Sequence, residues 1–125
     1  GDRLRFEQSI EDSVKYALVP SMTIQPLVEN AIRHGISKRA SGGLVHVVAQ
    51  NRADDLWIMV EDDGVGLPAD WTNHAVEGLG LSVTRQRLDG LYPEGKSSFE
   101  VRPRQGGGVA VELRIPLLYA DASAN

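Results

Sequence analysis

Glu29, Asn30, Arg33 and His34 put a carboxylate, an amide, a guanidinium and an imidazole into one short stretch. On a helix they stand at i, i+1, i+4 and i+5, which gathers four different functional groups on one side. A solvated face is the plainer reading, with Glu29 and Arg33 as an i,i+4 ion pair contributing about 0.2–0.5 kcal/mol. Two glycine motifs farther along suggest a use for the patch. Asp62-Asp63-Gly64-Val65-Gly66 follows a strand pattern. A carboxylate at a strand end can accept a hydrogen bond from an exocyclic amine, and glycines allow the backbone to approach a flat base. Asp62, at the first position, is the better candidate, with Asp63 in the turn. Gly78-Leu79-Gly80-Leu81 opens a helix pattern, where unpaired N–H groups can hold phosphate oxygens. Each glycine motif alone also fits an ordinary turn. Their order after the polar helix face is what chance rarely supplies.

The elements that must position these groups follow from periodicity. Ile24, Leu27, Val28, Ala31 and Ile32 recur at helical spacing and form one apolar stripe. Pro26 suits the first turn and Gly35 the exit, with Ser21 or Thr23 as N-cap. Leu44 to Gln50 and Leu56 to Glu61 read as strands joined by turn residues Asn51 to Asp55, hence a hairpin. The helix after Gly80 turns Leu81, Thr84, Leu88, Leu91 and Tyr92 to one face, while Arg85, Arg87 and Asp89 point mainly elsewhere. Leu4 to Ile10 predicts a first strand at an edge, Glu11 to Leu18 a short helix, and Ser37 to Gly43 a loop. Ala69 to Glu77 predicts a mobile loop. Ser98 to Arg102 and Val109 to Pro116 predict two further strands around a turn with Gly106, Gly107 and Gly108, followed by a fraying tail over the last ten residues. Five strands, hairpins rather than regular βαβ alternation, and two or three helices imply an α/β sandwich of two layers. Its sheet is mixed and largely antiparallel, with helices on one face.

Composition narrows the function classes. At 125 residues and 42% hydrophobic content, the chain supports one core and one domain, here residues 1–118 with 119–125 as tail. It contains no apolar run long enough to span a bilayer and nothing resembling a signal peptide, so the fragment reads as soluble and without direct membrane contact. The absence of cysteine removes disulfides and thiolate chemistry. A net charge of −4 without a clustered basic face argues against nucleic acid. An anionic ligand would then need local help from Arg33, helix N-termini, glycine-loop amides or a metal ion.

Taken together, these residues resemble the ATP-binding catalytic domain of the GHKL superfamily, which has the Bergerat-type fold. The segment Gln25 to Gly35, with Gly80-Leu81, Arg85-Gln86-Arg87-Leu88 and Leu91-Tyr92, is similar to LytS-type sensor histidine kinases over nearly the whole chain. The resemblance implies ATP and Mg²⁺ as cofactors, with Asn30 as the metal ligand through its amide oxygen. It implies that Glu29 orients or activates a water or tunes the metal shell, and that Arg33 and His34 meet phosphate oxygens. It also implies that Asp62 accepts the adenine amine and that Gly64 and Gly66 shape the base pocket. Gly78, Leu79, Gly80 and Leu81 then bound a lid over the phosphates, made of residues 69–77 with Trp71 as an anchor. The implied partners are a helical dimerisation and phosphoacceptor domain of the same kinase and a response regulator. The full protein is expected as a homodimer, cytoplasmic or with this domain on the cytoplasmic side of an inner-membrane sensor.

Two positions depart from the family pattern. Val83 stands where related kinases often carry asparagine, and Val109 where threonine commonly follows the last glycines; both predict fewer polar contacts near the phosphates. None of His34, His46 and His74 stands in a helical context suited to a phosphoacceptor; His46 reads as a strand residue and His74 as lid surface. Two alternatives stay open at this point. One is an anti-sigma-factor-type serine kinase of the same superfamily, disfavoured by Gln25-Pro26-Leu27 and the Arg85, Arg87, Leu88 set. The other is a degenerate nucleotide- or partner-binding module without catalysis.

Overall fold

The computed structural model describes residues 4–35, 43–67 and 79–120. Five strands, β1 (Leu4–Ile10), β2 (Gly43–Arg52), β3 (Asp55–Asp62), β4 (Ser98–Pro103) and β5 (Val109–Pro116), form one sheet in the order β1-β2-β3-β5-β4. Only β1 and β2 run parallel; the other neighbours are antiparallel, so the sheet is mixed as the pattern predicts. Helix α1 (Ile24–Asn30) continues without a break into a π-helical segment, Ala31–Gly35, and α2 spans Ser82–Leu91. Among the described residues these two helical segments and one 3₁₀ turn, Asp12–Val14, form the second layer.

Strict alternation makes the core. Leu56, Ile58, Val60 and Asp62 point inward from β3, and Val109, Val111, Leu113 and Ile115 from β5, all buried. Leu27 of α1 and Leu88 of α2 close the layer from above. Burying such side chains contributes about 1.5–3 kcal/mol each, which is what holds the short helices down.

The β2–β3 turn is tight although it has no glycine. Ala53 and Asp54 both take positive φ, 52° and 68°, and the Asn51 side-chain oxygen accepts the Asp54 N–H at 3.0 Å. That conformation matches the twist of a two-residue hairpin, so strand pairing outweighs the local cost.

Three expectations are corrected. Glu11 to Leu18 forms no helix beyond the 3₁₀ turn, because the stretch is tied to the sheet. Glu11 donates its N–H to the Ala49 carbonyl and accepts the Asn51 N–H at 2.7 Å, and Ala17 bridges Tyr119. The chain after β5 is likewise held, since Leu18 donates to the Leu118 carbonyl at 2.8 Å. Leu91, expected on the inner face of α2, is exposed. Residues 36–42, the lid at 69–77 with Trp71 and His74, and Gly78 lie outside the described residues. No helix among the described residues is long and apolar enough to cross a membrane.

Candidate functional site

Asp62 is the last residue of β3, not part of the turn, and stands in register with Val45 on one side and Val109 on the other. Because β3 is central, Asp62 is 4% exposed. One carboxylate oxygen accepts the Gly64 N–H at 2.8 Å, and the Val109 backbone N–H also bonds the group. Desolvation by burial nevertheless dominates and raises the Asp62 carboxyl above its ordinary value, with smaller opposing contributions from those two backbone bonds. Asp63 turns the other way and accepts the Leu44 N–H at 2.8 Å, which locks the turn to β2.

Gly66 takes φ +80°, a conformation that only glycine adopts cheaply, and its backbone lies against Gly108. Gly108, at φ +105°, is the tighter position: a Cβ built there would lie 1.8 Å from the Asp62 carbonyl oxygen. The glycine turn between β4 and β5 is therefore part of the Asp62 site. Sequence reasoning treated Gly106 to Gly108 as a turn alone. The missed signal was three consecutive glycines where a hairpin needs fewer.

The helical side of the site differs from the single polar patch that helical spacing predicts. Glu29 is exposed and accepts a 2.9 Å bond from the Gln25 amide, and Arg33 is exposed. Asn30 is 3% exposed, and its side-chain oxygen has no hydrogen-bond partner among the described residues. The polar face thus splits, with Asn30 turned inward one step around the helix from Glu29. The split coincides with the change from α to π geometry: the Ala31 N–H is shared between the Leu27 and Val28 carbonyls, and the π segment that follows carries Arg33 and His34. Single π turns often mark functional sites. Both α1 and the π segment pack on β3, so Asn30 and Asp62 belong to adjoining elements.

At the entrance to α2, Gly80 takes φ +75° in open space, and Leu79 is half-buried against the core. Leu81 is fully buried, so what it supplies is the anchor of the helix start rather than a ligand contact through its side chain. Arg87 of α2 donates to the Ser21 carbonyl at 3.2 Å and so ties α2 to the approach of α1. Val83 is exposed on the first turn of α2. Val109, by contrast, is buried, with its N–H on Asp62. His46 is the strand residue expected, held between Ser9 and Glu61 at 2.8 and 3.2 Å.

A buried acceptor at the end of a central strand, a glycine turn beside it and an orphaned amide oxygen thus lie on adjoining elements. Residues 19–119 match the family of histidine kinase-, DNA gyrase B-, and HSP90-like ATPases. The sensor protein LytS of Staphylococcus haemolyticus is 33% identical over 73% of this chain and 17% of its own length. The sensor histidine kinase YesM of Bacillus subtilis is 28% identical over 92% of this chain and 20% of its own. Among solved structures, the blue-light activated histidine kinase of Erythrobacter litoralis superposes with a TM-score of 0.66 at 28% identity, covering 91% of this chain and 35% of that one. The chain spans about a fifth of the length of the curated relatives it matches. It belongs to the histidine kinase-, DNA gyrase B- and HSP90-like ATPase family, as an ATP-binding domain similar to those of LytS-type sensor histidine kinases.

Proposed function

We propose that this domain binds Mg-ATP between the end of β3, the α1–π helix and the start of α2, and presents the γ-phosphate to a histidine carried by a separate helical domain. The observation that carries the reading is the Asn30 side-chain oxygen, buried and without a partner among the described residues. A lone buried oxygen costs about 1–3 kcal/mol, a penalty that a hard cation relieves. An amide oxygen suits Mg²⁺, and when bound the ion neutralises phosphate charge.

The chain's own residues divide the remaining tasks. Asp62 accepts the adenine amine while Gly64 and Gly66 let the base lie close to the backbone. Gly80 and Leu81 before α2, together with Gly78 of the same sequence motif, offer N–H groups to the phosphates, and Arg33 and His34 supply charge-assisted bonds to their oxygens. Exposed Glu29 orients the water or hydroxyl network around the phosphates. Phosphoryl transfer then depends on positioning, since the histidine nucleophile comes from outside this segment. A dimerising helical domain of the same kinase and a response regulator are the partners this implies, with the full protein a homodimer and this domain in the cytoplasm.

Titration calorimetry with ATP and GTP, each with and without Mg²⁺, tests the reading. The expected result is Mg²⁺-dependent binding that favours ATP, because guanine would set a carbonyl against Asp62. Equal affinity for the two nucleotides would remove Asp62 from its role, and binding indifferent to Mg²⁺ would remove Asn30. Incubation with γ-labelled ATP, alone and with a matching helical domain, tests the transfer: label should reach only the added domain.

A further inference from the structure

Strand β1 is an edge of the sheet with no strand on its outer side among the described residues. All seven of its residues are exposed, and Leu4, Phe6 and Ile10 are 44%, 47% and 39% accessible. Its sequence, Leu-Arg-Phe-Glu-Gln-Ser-Ile, has no proline and no lysine, the residues that normally discourage edge pairing. The direction of its free backbone groups follows from the parallel ladder. Ile10 stands opposite Ala49, and the Ala49 carbonyl accepts from Glu11, so the odd-numbered residues bond towards β2. Leu4, Phe6, Gln8 and Ile10 therefore direct their N–H and C=O groups outward. Side chains alternate in the same way: Phe6, Gln8 and Ile10 line an apolar groove with Val28, Val47 and Ile58, whereas Arg5, Glu7 and Ser9 belong to the opposite sheet face.

We propose that β1 pairs antiparallel with β1 of a second copy of this chain, about a two-fold axis through Phe6, to join the two sheets into one. The occupant is argued from self-complementarity. Outward-directed groups meet only when even-numbered residues face even-numbered residues. With Phe6 opposite the second copy's Phe6, Arg5 faces the second copy's Glu7 and Glu7 faces its Arg5. These two charge pairs fall at non-hydrogen-bonded positions, where side chains approach most closely. Moving the axis one residue either way sets Arg5 against Arg5 or Glu7 against Glu7, which repels. On the other face the two Phe6 rings meet at the mouths of the two grooves, so apolar surface is covered at the axis. The arrangement is isologous and closes at two copies.

Because the chain has no cysteine, single substitutions read the register directly. Cα atoms of a hydrogen-bonded antiparallel pair lie about 5.5 Å apart, within disulfide reach. Under mild oxidation of the 125-residue chain, Phe6→Cys should link to itself faster than Leu4→Cys, Glu7→Cys or Gln8→Cys. In sedimentation equilibrium, Arg5→Glu and Glu7→Arg should each raise the dimer dissociation constant about tenfold, and the double reversal should restore it. A chain that stays monomeric up to about 1 mM, fastest linking at another position, or a double reversal no better than the singles would each overturn the proposal.

Discussion

The two ends of the candidate site are built on opposite terms. On the carboxylate side every element is satisfied from within: Asp62 accepts from Gly64 and Val109, Asp63 accepts from Leu44, and Gly66 and Gly108 pack backbone to backbone. On the helical side Asn30 is just as buried, yet its oxygen has no partner among the described residues. The first has a shape fixed by its own internal bonds and packing. The second keeps an unmet acceptor whose cost ligand binding would relieve. In such a site, disturbing the backbone packing of the satisfied side should damage folding and binding together, whereas disturbing the unsatisfied side should damage binding alone.

Gly108→Ala is the harshest way to break the contrast. The added Cβ would fall 1.8 Å from the Asp62 carbonyl oxygen at a φ of +105°, so strand β5 must shift away from β3. Chemical denaturation should show a loss of about 3 kcal/mol or more, and ATP binding should fall with it. An unaffected Gly108→Ala protein would mean that the two turns do not bear on each other.

Asn30→Ala should act in the opposite pattern. A hydrogen bond or ligand bond involving a charged group contributes about 1.5–3 kcal/mol, so Mg-ATP affinity should drop about tenfold or more in calorimetry. The unliganded protein should melt at nearly the parent temperature, because the oxygen removed has no partner among the described residues. Early melting with unchanged affinity would make Asn30 a structural residue and erase the asymmetry.

Gly66→Ala sharpens the satisfied side. Its Cβ would meet Gly108 only at ordinary contact, 3.5 Å, so what remains is the strain of φ +80°. A loss of about 1 kcal/mol is expected, clearly less than at Gly108. If the two glycines cost the same, conformation rather than close approach limits both.

Asp62→Asn has the smallest effect on stability and a specific pH dependence. Burial raises the Asp62 carboxyl above its ordinary value of 3.8, so the folded state favours the protonated form. That contribution is fully present below the ordinary value and is lost as pH rises through the raised folded-state value. The asparagine protein, which still offers an oxygen to the Gly64 N–H, should gain stability relative to the parent as pH climbs from about 4 towards 7. Thermal melts across that range would show a widening gap; a constant gap would mean that Asp62 ionises freely.

Much of this architecture was legible in the linear chain. The apolar stripe of Ile24, Leu27, Val28, Ala31 and Ile32 marked α1, the alternation of β3 and β5 marked the core, and the spacing of the glycine motifs marked the turns. These patterns are local, set by helical and strand periods that any window of residues displays.

What only the tertiary structure decided lies where distant segments meet or where regular geometry fails. Helical spacing alone grouped Asn30 with Glu29, because a regular wheel cannot show which side of a boundary residue the sheet will cover; packing on β3 turned Asn30 inward. The stretch Glu11 to Leu18 has a plausible helical pattern, but bonds to Ala49, Asn51 and Tyr119 pulled it flat. Gly108 is a turn glycine by composition and an obligatory one only because β5 brings it against Asp62. Local preference is worth tenths of a kcal/mol per residue, while a buried contact or a steric overlap between chain-distant atoms is worth several, so the long-range term decides at each of these places.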